Sequence, residues 1–73
     1  MKNKLVVFLV QGWVKETDAP RAKRIPLSRP ERVSAIDGLT AAKTYARCHG
    51  VRESSWLNTW RDPLVVICTE KID

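Results

Sequence analysis

Pro20, Pro26 and Pro30 interrupt a stretch that carries Arg21, Lys23, Arg24, Arg29 and Arg32, with Glu31 as its only acid. Each proline lacks an N–H and drives the residue before it out of the α region, so no helix can cross this segment. An extended arm or an edge strand remains. Proline survives in a sheet where its missing donor faces solvent, and cations along an edge discourage a second chain from adding on. Residues 20–32 are therefore expected to form a basic, proline-punctuated arm or edge strand that stands clear of a small folded body. Its natural partner is a polyanion or an acidic protein surface. A solvated edge that merely resists aggregation explains the same charges without a partner. Were all five cations to touch phosphates, affinity would fall with a log–log salt slope of up to roughly −4.5.

The flanking sequence supplies the body. Leu5, Val7, Leu9, Gln11 and Trp13 alternate with Val6, Phe8, Val10, Gly12 and Val14, the period of a long strand, and apolar residues on both faces suit a central one. Gly12 is a candidate bulge in it. Glu16 to Pro20 reads as a turn. Asp37 is a good helix N-cap, overlapped by a second start signal from Ser34. Leu39, Ala42, Ala46 and His49, with Tyr45 beside them, share one helical face, while Thr40, Lys43, Thr44 and Arg47 share the other. Gly50 closes the helix after about three turns as a left-handed cap. Ser54 to Arg61 alternates again, Asp62-Pro63 marks a turn, and Leu64 to Thr69 is a continuous apolar strand. The fold class expected is α+β: a four-stranded, mostly antiparallel sheet with one helix packed on one face, in ββαββ order, with the first and last strands central.

Seventy-three residues make one domain, 1–73, whose core is small, because a chain of that length buries only about 60% of the surface its unfolded form exposes. With 44% hydrophobic residues the chain is too apolar for a disordered tail. Thirteen Lys and Arg against eight Asp and Glu leave a net charge of +5, which favours anionic partners. The apolar run after Lys4 is too short for a secretory signal, and no other stretch reaches the ~20 residues of a membrane span. A cytoplasmic location without membrane contact is expected. Cys48 and Cys68 are then reduced thiols, read as small core residues.

Nothing in the chain assembles a reaction centre. Cys48, His49 and Cys68 fall short of the four paired ligands of a structural zinc site, and His49 is the only histidine available to a cysteine nucleophile. The three glycines stand too far apart for a phosphate loop. No catalytic residue, metal or cofactor is assigned. Trp56 and Trp60, on one side of the expected strand, fit three roles: core packing, a protein-binding surface, or a platform for base stacking.

From Leu39 the order Leu-Thr-Ala-Ala-Lys-Thr-Tyr-Ala-Arg-Cys-His-Gly, followed by two expected strands as far as Thr69, resembles the helix-then-hairpin half of very small proteins of phages and mobile elements, type I anti-CRISPR proteins among them. Such a resemblance implies a non-enzymatic inhibitor that docks stoichiometrically on an RNA-guided surveillance complex and blocks its target DNA or nuclease partner. It carries over no individual binding residue. Charge and aromatic placement alone single out Arg21, Lys23, Arg24, Arg29, Arg32, Trp56 and Trp60 as partner-binding. The alternative is a small basic accessory module that contacts nucleic-acid phosphates directly through its arm. The chain is expected to be a monomer or small homo-oligomer.

Overall fold

The computed structural model describes residues 4–57 and 63–72. Its elements are strand β1 (Val6–Lys15), β2 (Arg24–Pro26), β3 (Glu31–Ala35), helix α1 (Gly38–Cys48), a short helix α2 (Glu53–Trp56) and strand β4 (Val65–Lys71). The α+β class and the antiparallel sheet with its packed helix are as expected. The order is not, because three strands precede the helices and one follows.

All pairing runs through β1. It is antiparallel to β4 from Phe8 to Val14, to β3 from Val6 to Val10, and to β2 from Trp13 to Lys15. A strand has two edges, and β4 overlaps both of the other partners along β1. So β2 and β3 must lie in succession on the opposite edge, as two halves of one interrupted strand. Proline explains both the placement and the interruption: Pro26 ends β2 and Pro30 precedes β3, where a central strand would need their missing donors. β1 is central as its apolar faces require. β4 is not, since among the described residues it pairs with β1 alone.

Alternation then sorts the side chains. Phe8, Val10, Val33, Ala35, Val65 and Ile67 face the helices. Val10, Ala35, Ala41 and Tyr45 form one buried cluster, and Ala42, Ala46, Trp56 and Val65 form a second. Three alanines on α1 let the helix lie close on the sheet, where each fully buried Val-sized side chain contributes roughly 1.5–3 kcal/mol. The inner face of α1 is Ala41, Ala42, Tyr45 and Ala46, rotated from the expected one: Leu39 is 54% exposed, on the flank of the contact.

Both ends of α1 are closed as its sequence requires. The Asp37 carboxylate accepts a hydrogen bond from the Thr40 amide at 2.7 Å, with Asp37 itself extended. At the other end Gly50 has φ +69°, the Gly50 amide donates to Arg47 O at 3.2 Å, and the Val51 amide donates to Ala46 O at 2.8 Å. That pair of bonds is a Schellman cap, which turns the chain sharply back. Val51 packs against the second cluster, and the next turn forms α2 where a strand over Ser54 to Arg61 was expected. The period-2 pattern there is overridden by packing. Trp56 drops against Ala42, Ala46 and Val65, filling the space that the alanines leave. Residues 58–61 of that expected strand, Trp60 among them, and Asp62 of the expected turn lie outside the described residues.

One pH effect follows. The Asp37 carboxyl is held below its ordinary value of 3.8, chiefly by the backbone hydrogen bond from Thr40, then by the Thr40 side chain, with the Lys43 charge adding to both. A depressed carboxyl contributes stability that is complete above pH 3.8 and is lost as pH falls through its folded-state value. Thermal melts should show this loss in the wild type, and Asp37→Asn, which keeps the capping oxygen, should melt with a flatter dependence on pH below 3.8.

Candidate macromolecule-binding surface

The basic segment does not hang free. The Glu16 amide bonds Lys23 O at 2.9 Å, closing a hairpin between β1 and β2 with Arg21 in its loop. Further along, Val10 faces Glu31 while Trp13 faces Pro26, so residues 27–30 stand opposite only Gln11 and Gly12. A bulge with two surplus residues preserves which face each side chain takes, yet strips β1 of regular ladder partners.

Side chains replace those partners from both faces of the sheet. The Leu27 amide still donates to Gly12 O at 2.8 Å. From one face the Gln11 amide group donates to Ser28 O at 2.6 Å and to Gly12 O at 2.9 Å. From the other, the Tyr45 hydroxyl accepts the Gly12 N–H at 3.1 Å and lies 2.7 Å from Ser28 Oγ. Ser28 Oγ also lies 3.1 Å from Glu31 Oε2 and 2.9 Å from Arg29 O, both acceptors. The single Ser28 proton goes to one of these, so Tyr45 is the donor to Ser28. His49 Nε2 donates to the same Glu31 oxygen at 2.6 Å, and its ring packs on Tyr45 with centroids 4.4 Å apart.

This network decides where the charges go. Glu31, the one acid in the arm, is turned towards His49 and Ser28. Arg21, Lys23, Arg29 and Arg32 are exposed, and among the described residues no carboxylate lies within ion-pair distance of them. Arg24 differs: its guanidinium donates to Pro63 O at 2.6 Å and Leu64 O at 3.4 Å, tying the hairpin to the start of β4. The arm is thus a clamped edge with outward cations rather than a protruding finger. Arg21 and Lys23 sit at the hairpin end and Arg29 in the bulge. Arg32 lies across from Leu9, on the sheet face opposite the helices.

The aromatic candidates separate as well. Trp56 is 6% exposed, and its Nε1 has no hydrogen-bond partner among the described residues. It is a core residue on a helix and not half of an exposed strand platform. Trp13 is instead half-buried on the open sheet face, in register with Val66. Cys48 and Cys68 are both exposed, which corrects their reading as core residues: Cys48 is on the outer side of α1, and Cys68 is on the open face across from Gln11. Between α1 and α2, Lys43, Arg47, Glu53 and Trp56 help line a cavity of about 130 Å³.

Sequence reasoning missed the Gln11, Ser28, Tyr45 and His49 network. Its signal was present only as polar residues in otherwise apolar patterns. The chain matches no protein-family model, no curated protein and no solved structure.

Two substitutions test the clamp. Tyr45→Phe keeps the ring but leaves the Gly12 amide without its acceptor and Ser28 Oγ without the Tyr45 donor, and should lower unfolding free energy in urea by about 1–3 kcal/mol. A Cβ at Gly12 would come 2.7 Å from Tyr45 Cε1 and 3.0 Å from its hydroxyl. Gly12→Ala should therefore also cost about 1–3 kcal/mol, through overpacking, and the two losses should fall short of adding, because both displace the same hydroxyl.

Proposed function

We propose that this chain works without catalysis, as a docking protein that inhibits a larger nucleoprotein complex stoichiometrically, in the manner of the anti-CRISPR proteins that the sequence from Leu39 to Thr69 resembles. The observation that carries this reading is the set of uncompensated cations, Arg21, Lys23 and Arg29, with Arg29 in the bulge that Tyr45 clamps and Arg21 and Lys23 at the hairpin end closed by the Glu16 amide. Cations already held in place lose less freedom on binding than cations on a loose tail, which favours a specific anionic surface over indiscriminate attraction. No aromatic residue alternates with them along the edge, as stacking on single strands would require. The acidic surface they meet is then guide RNA, or acidic loops, within an assembled complex.

The test is binding to purified type I RNA-guided surveillance complexes by gel filtration, alongside mobility shifts on bare duplex DNA at two salt concentrations. Wild-type chain should co-elute at fixed stoichiometry and shift bare DNA weakly. The triple variant Arg21→Gln, Lys23→Gln, Arg29→Gln should fold normally and fail to co-elute. Tight binding to bare DNA, whose salt slope flattens by up to roughly 2.7 in the triple variant, would instead establish the nucleic-acid module. Co-elution that survives the triple substitution would remove the cationic edge from the account.

A further inference from the structure

Among the described residues both helices pack on one side of the sheet. Val10, Gly12, Val65 and Ile67 lie under the helices, whereas Val7, Leu9, Trp13 and Val66 make an apolar stripe on the other face, half-buried by their own neighbours, with Leu5 63% exposed at its end. Among the described residues no helix packs over this stripe. Its charges are arranged across it in a definite way. Leu9 pairs with Arg32 on one side and Glu70 on the other, so a cation and an anion flank the same central residue. Both are exposed, and among the described residues neither makes an ion pair.

We infer that this face binds a second copy of the chain, sheet on sheet, with Arg32 of each copy against Glu70 of the other. The register dictates the symmetry. Rotation by a half-turn about an axis along β1 at Leu9 carries the β3 side of one copy over the β4 side of its mate, and places both opposite-charge pairs at once. The perpendicular half-turn sets Arg32 on Arg32 and Glu70 on Glu70, and is rejected by like-charge repulsion. Facing sheets in such a sandwich lie about 10 Å apart and cross at about 30°, so contact is closest at the Leu9 row and opens towards the ends. At one end Lys15 is buried and Arg24 is bonded to Pro63 and Leu64 carbonyls, which keeps both charges out of the seam. Three strands over seven residues give a patch on the order of 350 Å² in plan, below a standard interface, so dissociation in the micromolar range is expected.

The charge pattern supplies a test that does not depend on the core. Analytical ultracentrifugation should show wild-type chain moving from 8.3 kDa to twice that mass as concentration rises. Arg32→Glu alone and Glu70→Arg alone should each weaken self-association roughly tenfold or more, since each turns both pairs into like charges. An equimolar mixture of the two variants should recover a dimer, because every contact across that seam is again between opposite charges. The two cysteines give an independent readout. Cys68 lies within the seam and Cys48 outside it, so thiol labelling of Cys68, but not Cys48, should slow several-fold as the dimer forms. A chain that stays monomeric to millimolar concentration, or a dimer indifferent to both reversals, would overturn the inference. So would Cys68 labelling that is unchanged by concentration.

Discussion

One hydroxyl group organises this molecule. A strand edge that carries two surplus residues cannot satisfy the strand beside it, and an unpaired buried amide costs about as much as a lost hydrogen bond. Tyr45 reaches from α1 to supply the missing acceptor for Gly12 and a donor for Ser28. The consequences run outward from there. The helix must lie close to the sheet, which its alanines allow. Gly12 must lack a side chain. The bulge, held by Gln11 from beneath and Tyr45 from above, fixes Arg29 and sets the register that leads into β3.

The same device explains how a chain this short holds a charged edge in a defined place. Among the described residues its core is two modest clusters between the sheet and its helices, which cannot restrain a long loop by apolar contact alone. Hydrogen bonds to the bulge take that role. Glu31 is drawn into the network by His49 and Ser28, a half-exposed contact worth little as an ion pair, but it removes the only acid from among the arm cations. Structure thereby sharpens the electrostatics that composition merely announced.

Much of the fold was legible in the sequence. β1 followed from alternation, α1 from Asp37 and Gly50, and the edge position of the basic segment from its prolines. What could not be read was decided by contacts distant in the chain. Nothing local tells a tyrosine on an amphipathic helix that it will bond an amide thirty-three positions away. Trp56 illustrates the opposite failure, for its alternation with its neighbours was real, but the cavity over Ala42 and Ala46 outweighed it. The thiols were misplaced because apolar neighbours in sequence do not establish burial when the described helices pack on one sheet face and leave Cys68 on the other. For the candidate surface, residue type picked out the cations and proline picked out their edge, whereas the sorting of Arg24 and Arg32 from the rest required the register.

Amide hydrogen exchange resolved by residue tests the clamp most directly. The Gly12 and Leu27 amides should exchange as slowly as that of Val10 in the centre of β1, and Tyr45→Phe should release Gly12 and the bulge before the rest of the sheet. Gly12 exchanging as fast as the hairpin loop in the unaltered chain would contradict the account.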